Sequence, residues 1–185
     1  MSAKSILSLI GAGVLLVAWA GFSAGPTGKP AASQPAASAP ADVPAVWKEM
    51  FPQGLIDADG NAADLGRLKG KIVGLYFSAH WCPPCAVFTP KLVQFRADHA
   101  ADFEVVFVSS DRTKEEHRKY MAEAAMKWLA AEWRTDAAIA ITKKFEIKFI
   151  PTLVILGPDG KEITRDGRKD VEGDANAPAL PKWKK

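Results

Sequence analysis

The chain has 185 residues, 48% of them hydrophobic and 24% charged, which is enough for one well-formed core and short for two. Its formal net charge of +3 comes from lysines and arginines scattered among acids, so it carries no electrostatic footprint for nucleic acid. The only two cysteines lie in one short segment; this excludes a framework of stabilising disulfides and leaves the six tryptophans and nine phenylalanines to supply stability by burial.

Residues 1–24 open with Lys4 and continue as an apolar run from Ile6 to Ala24. With the small-x-small site Ala18-Trp19-Ala20, this reads as an export signal that is cleaved. At about 19 residues the run also approaches the length of a membrane span, so the alternative is membrane anchoring through residues 6–24 with Lys4 on the cytoplasmic side. No cysteine follows the run, which excludes a lipid attached through one there. Residues 25–45, rich in Pro and Ala and almost free of bulky side chains, read as an extended tether. The folded domain is assigned to residues 46–185. The expected location is exported and periplasmic, either soluble or tethered to the inner membrane.

Composition changes at Trp47, and Leu55-Ile56 reads as a short strand running into the turn Asp57-Ala58-Asp59-Gly60. Leu65 and Leu68 follow at helical spacing. The unbroken apolar run Ile72 to Phe77 then suits a strand covered on both faces, as in a parallel sheet. Trp81-Cys82-Pro83-Pro84-Cys85 comes next. Pro83 fits the first turn of a helix, and Phe88, Leu92 and Phe95 make one apolar stripe on it, with Pro90 expected to kink it before about His99. Two thiols at i and i+3 share a face of the first turn, close enough to close a small disulfide ring. The pair therefore reads as a redox centre. A helix N-terminus leaves backbone N–H groups without partners and carries partial positive charge, which favours a thiolate at Cys82 and makes it the nucleophile.

Phe103 to Val108 reads as the next strand, completing a right-handed βαβ unit with Cys82 beyond the carboxyl end of its first strand, where open α/β sheets place active groups. Thr113 with Glu116 forms a capping box for a helix expected to carry Tyr120, Ala124 and Trp128 on one side. Asp136 is expected to cap a further helix ending near Lys144. Ile150 to Leu156 reads as a strand, Pro158-Asp159-Gly160 as a turn, and Glu162-Ile163-Thr164 as its hairpin partner. The tail from Arg165 to Lys185 is expected to pack only partly, with segments 165–169 and 182–185 as solvated ends. His99 and His117 read as helix-surface residues, and Tyr120, Trp128 and Trp133 as packing. The spacings of the three histidines match no zinc-finger pattern, so no metal site is expected.

A Trp-Cys-Pro-Pro-Cys segment after a buried strand, Pro90 beyond it, and the later Ile150-Pro151-Thr152 together resemble the thioredoxin superfamily. The run Tyr76 to Cys85 with Phe88-Thr89-Pro90 looks most like its tryparedoxin and nucleoredoxin branch. So do Val108-Ser109-Ser110-Asp111-Arg112, Trp128-Leu129 and the stretch from Arg165 to Trp183, giving a likeness over roughly residues 47–183. The resemblance implies the α/β thioredoxin fold, a central mixed β-sheet flanked by helices on both faces. It implies a thiol–disulfide oxidoreductase, by its subfamily a protein-disulfide reductase, in which Cys82 attacks a disulfide and Cys85 resolves the mixed disulfide. Such a protein needs no cofactor, but it needs protein disulfide substrates and a thiol electron donor.

By the same likeness Pro151 is a cis-proline facing the cysteines, leaving the Ile150 backbone free to pair with an extended substrate segment. Trp81, Pro83 and Pro84 complete the expected contact surface, and His80 either favours the thiolate of Cys82 or is an exposed loop residue. Thioredoxins themselves carry a buried acid where this chain has Tyr76, a poor proton acceptor at neutral pH. Deprotonation of Cys85 then falls to water, to another acid or to the target's leaving thiolate. Two alternatives stand beside this reading. One is the thioredoxin-like reductases of cytochrome c maturation, which share Trp-Cys-x-Pro-Cys and an N-terminal anchor. The other is thiol-dependent peroxidases, which use one cysteine in a different setting. A non-catalytic module fits poorly with intact Cys82, Cys85 and Pro151.

Overall fold

The structure is a computed structural model, and it describes residues 43–173 and 179–185. The apolar run of residues 6–24 and nearly all of the tether lie outside the described residues. Val43 is already buried beside Trp47 and Phe51, so the packed body reaches back before Trp47.

Helix α1 (Ala45–Met50) is followed by strands β1 (Leu55–Ile56) and β2 (Ala62–Ala63), a 3-10 turn (Leu65–Leu68) and strand β3 (Ile72–Ser78). Helix α2 (Pro83–Asp98) crosses to β4 (Phe103–Ser109), and α3 (Lys114–Glu123), β5 (Leu129–Ala130) and α4 (Asp136–Lys144) follow. The hairpin β6 (Thr152–Leu156) and β7 (Glu162–Thr164) leads into the short helices α5 (Gly167–Glu172) and α6 (Ala179–Trp183). The seven strands form one sheet in the order β2-β1-β5-β4-β3-β6-β7. β3 runs parallel to β4, and β4 to β5, whereas β6 is antiparallel to β3. The sheet is therefore mixed, as the resemblance implies.

All seven residues of β3 are buried, and strand alternation sends them to two cores. Val73, Leu75 and Phe77 join Val106, Val108, Val154 and Leu156 under α1 and α4, through Trp47, Ile141 and Phe145. Tyr76 joins Phe107, Leu153 and Ile155 under α2, α3 and α6, through Phe88, Leu92, Met121 and Trp183. Helices thus cover both faces. Gly74 is required between them: a Cβ there would lie 2.8 Å from the Phe103 ring and 2.9 Å from Leu153.

At the end of the sheet away from the cysteines, the buried Glu104 carboxylate takes paired hydrogen bonds from Arg96 at 2.9 and 2.8 Å and a third from Arg67 at 3.1 Å. Charge-assisted, bidentate geometry of this kind offsets the cost of burying a carboxylate. It ties the last turn of α2 and the 3-10 turn to the start of β4.

Four sequence expectations differ from the structure. α3 ends at Glu123, and Ala125 takes a left-handed conformation with φ 51°. Trp128 therefore lies beyond the helix, fully buried before β5 and edge-on to Tyr76 at 6.2 Å. The cap of α4 is Thr135, whose hydroxyl accepts the Ala138 N–H, while Asp136 occupies the first turn, where its charge suits the helix dipole. The described parts of the tail pack well: Trp183 lies edge-on to Phe95 and tilted against Phe103, and donates its indole N–H to Asp170 at 2.8 Å. Gly167 makes this possible, since a Cβ there would lie 2.7 Å from the Leu153 carbonyl.

His117 is the fourth difference. It is fully buried, 5.1 Å from the Phe107 ring, with neither ring nitrogen hydrogen-bonded. Burial, reinforced by the nearby charges of Arg118 and Lys114 and opposed by Glu132, lowers its pKa from 6.5 to about 4. The unfolded chain takes up this proton near pH 6.5 and the folded chain only near pH 4. Stability is therefore full above pH 6.5 and falls as the pH drops through 6.5 toward 4, by roughly 3 kcal/mol for this group. Urea unfolding across that range should show the loss, and His117→Phe should flatten it. An unchanged pH slope in that variant would remove His117 as the cause.

Candidate active site

Three chain segments meet around the cysteines: the loop from β3 to α2, the end of β4, and the turn before β6. Cys82 is the N-cap of α2 and forms a disulfide with Cys85. Cys85 is fully buried and Cys82 keeps 4% of its surface exposed. Of the two, only Cys82 keeps any exposed surface, and it is more covered than a helix-start position implies. Pro83 and Pro84 are exposed beside it.

The expectation of free N–H groups at the helix start is overturned. Pro83 and Pro84 have no N–H, and the N–H groups of Cys85 and Ala86 both go to the Cys82 carbonyl, at 3.0 and 3.1 Å. The helix dipole acts on Cys82 without a directed donor. Two consecutive prolines in the sequence were the signal for this, because proline removes the donor.

The Ile150–Pro151 peptide is cis, as the resemblance implies, and Ile150 packs half-buried against Ala79, Cys82 and Cys85. The Ile150 carbonyl lies 3.9 Å from Cys82 Sγ. In the disulfide the sulfur has no proton to donate, so this is a contact; in the dithiol it becomes a weak hydrogen bond. Phe149, next in the chain, is 74% exposed. A cavity of about 670 Å³ opens from Phe149 and Pro151 toward Thr152, Arg165 and Arg168.

Behind Cys85 lies a buried hydroxyl network. Thr89 donates its one hydroxyl proton to the Cys85 carbonyl at 2.9 Å. Its oxygen is left to accept from the hydroxyls of Tyr76, at 2.7 Å, and Tyr120, at 2.6 Å, and Ser78 in turn donates to Tyr120 at 3.1 Å. Each of these four hydroxyls has a partner. Burial and the neighbouring Tyr120 push the Tyr76 phenol well above the ordinary tyrosine value, so it stays protonated and is not a base for Cys85.

The cysteine loop is held from the β4 side by Asp111, a residue the sequence reading used only as a likeness marker. Its buried carboxylate accepts the His80 N–H at 2.7 Å and the Ser109 hydroxyl at 2.7 Å, while its own N–H donates to Ser109 Oγ at 2.9 Å. Burial raises its pKa against the pull of these hydrogen bonds. The Ser109-x-Asp111 spacing, a side chain closing on a backbone N–H two residues on, was the local signal. The His80 ring turns outward to Glu123 at 2.9 Å. Trp81 is 48% exposed and donates its indole N–H to the Ser110 carbonyl at 3.3 Å.

Asp111→Ala leaves the His80 N–H unpaired and should cost about 1–3 kcal/mol in urea unfolding. Asp111→Asn keeps an acceptor and should cost less. Equal losses in the two variants would mean that the His80 bond is not what Asp111 contributes.

A thioredoxin-like family model matches residues 70–162. Mouse nucleoredoxin is 38% identical over 142 residues, covering 75% of this chain and 32% of that protein. A probable nucleoredoxin 3 from rice is 43% identical over 121 residues, covering 63% and 25%. The chain thus spans about a quarter to a third of the length of these curated relatives. Among solved structures, tryparedoxin II from C. fasciculata is 36% identical with a TM-score of 0.66, covering 74% of this chain and 94% of that one. A thioredoxin from Wuchereria bancrofti is 39% identical with a TM-score of 0.60, covering 70% and 92%. With these matches over a mixed sheet that carries a disulfide at the start of its crossover helix, the chain belongs to the thioredoxin-like oxidoreductase family, in its nucleoredoxin and tryparedoxin branch.

Proposed function

We propose that the protein is a protein-disulfide reductase with Cys82 as nucleophile and Cys85 as resolving thiol. The observation that carries this reading is the unequal cover of the two buried cysteines: Cys82 keeps 4% of its surface exposed and Cys85 none. In the forward cycle the Cys82 thiolate attacks one sulfur of a substrate disulfide, breaking that bond and releasing the other sulfur as a thiolate that takes a proton. Cys85 then attacks Cys82 Sγ, the mixed disulfide breaks, and the second substrate sulfur leaves as a thiol. Two electrons have moved to the substrate, and the Cys82–Cys85 disulfide awaits a thiol donor.

Tyr76 stays protonated behind the pair, which supports proton transfer from Cys85 outward, to water or to the departing thiolate. The apolar residues 6–24 support an exported, periplasmic site of action, where a reductase needs a dedicated donor. Trp81, Pro83, Pro84, Ile150 and Pro151 frame the approach to Cys82 and are assigned to substrate contact.

The purified protein should reduce insulin disulfides with dithiothreitol as donor, and Cys82→Ser should abolish turnover. Undiminished turnover in that variant would overturn the nucleophile assignment. Cys85→Ser should accumulate mixed disulfides that reductant releases, and recovery of none would remove the resolving role. Trapping thiols in cells should find Cys82 and Cys85 mostly as dithiol; a mostly oxidised pair would reverse the direction to oxidase.

A further inference from the structure

Arg112 lies on the rim of the redox centre with its guanidinium over the Trp81 ring, 5.7 Å from the centroid. That distance is within the range of a cation–π contact, which orders a cation without neutralising it. Among the described residues no carboxylate forms an ion pair with this guanidinium. Asp111 faces inward to His80 and Ser109, Glu116 Oε2 takes the Arg112 backbone N–H at 2.9 Å, and Glu123 is paired with His80 and Lys119. The neighbouring cations are in the opposite state: Lys114 and Arg118 are both spent on Glu132.

Trp81 precedes Cys82 directly and is fixed by its bond to the Ser110 carbonyl. A planar, unpaired donor fork is therefore held on the platform that adjoins the attacking sulfur. From this we infer that Arg112 is a specificity residue for the disulfide exchange proposed above, and that it selects disulfides flanked by a carboxylate, such as an acidic peptide segment beside the reactive cysteine. The inference rests on that functional reading. Arg112 acts by pairing with the flanking carboxylate during encounter and takes no part in the sulfur chemistry. An arginine fork suits this because it meets a carboxylate bidentately while its face stays on the indole.

The test uses three synthetic peptides, each closed by one disulfide and identical except for Glu, Gly or Lys next to the reactive cysteine. Reduction is followed with dithiothreitol as donor after subtraction of the uncatalysed rate. At low ionic strength the wild-type kcat/KM should favour the Glu peptide over the Lys peptide by about three- to fivefold, the range of an exposed ion pair, and added salt should shrink that ratio. Arg112→Gln should bring the ratio near one, and Arg112→Glu should invert it. A wild-type ratio near one, or a preference kept intact in Arg112→Glu, overturns the inference while leaving the reductase reading in place. Absence of turnover on all three peptides, the Gly peptide included, overturns the reductase reading and this inference with it.

Discussion

Burial of β3 on both faces is the constraint from which the rest of the molecule follows. A seven-residue strand with no solvent-facing side needs helices above and below it, and its neighbour β4 runs parallel, so the chain must cross over before pairing again. The crossover helix is α2. Because it begins just past the carboxyl end of the interior strand β3, its first turn stands above that end of the sheet, and the two cysteines lie at that turn. The redox pair owes its place to the packing of Val73, Leu75, Tyr76 and Phe77 rather than to any bond made by the cysteines themselves.

The interior behind Cys85 shows a second economy. Four hydroxyls, from Ser78, Tyr120, Thr89 and Tyr76, satisfy one another and end on the Cys85 carbonyl. A buried network is tolerable only when each member is paired, and this one is paired without any charge. The Cys85 carbonyl therefore meets an uncharged network. A carboxylate in the position of Tyr76 would need solvation or a raised pKa to be held there, whereas the phenol is neutral by its own chemistry and fills the space beside Phe88, Phe107 and Trp128.

Much of this was legible in the sequence. The unbroken apolar run of β3, the stripe on α2, the capping box of α3 and the hairpin before β7 are local patterns with local causes, and they form the elements expected of them. The Cys-Pro-Pro-Cys segment pointed to the site by its spacing, and Ile150-Pro151 through the family resemblance. What was not legible depended on long-range packing. His117 is polar and sits on a helix, and only the arrival of Phe107 behind α3 shows that it is buried. Trp128 left its helix because Ala125 reverses the chain, which spacing alone does not show. Trp183 was read as part of a loose tail because its partners, Phe95, Phe103 and Asp170, come from distant segments. The missing helix-start donors were readable from Pro83 and Pro84; that expectation failed because a general property of helices was applied to residues that lack the group concerned.

The rim of the redox centre has one further property. Trp81, Arg112 and Phe149 are exposed and belong to neither large core, while the elements that carry them are fixed from below by β3, Asp111 and Ile150. Each rim residue can be exchanged without opening either large core. Preference for one partner over another can therefore drift by single substitutions at these positions, with the frame and its sulfur chemistry inherited unchanged.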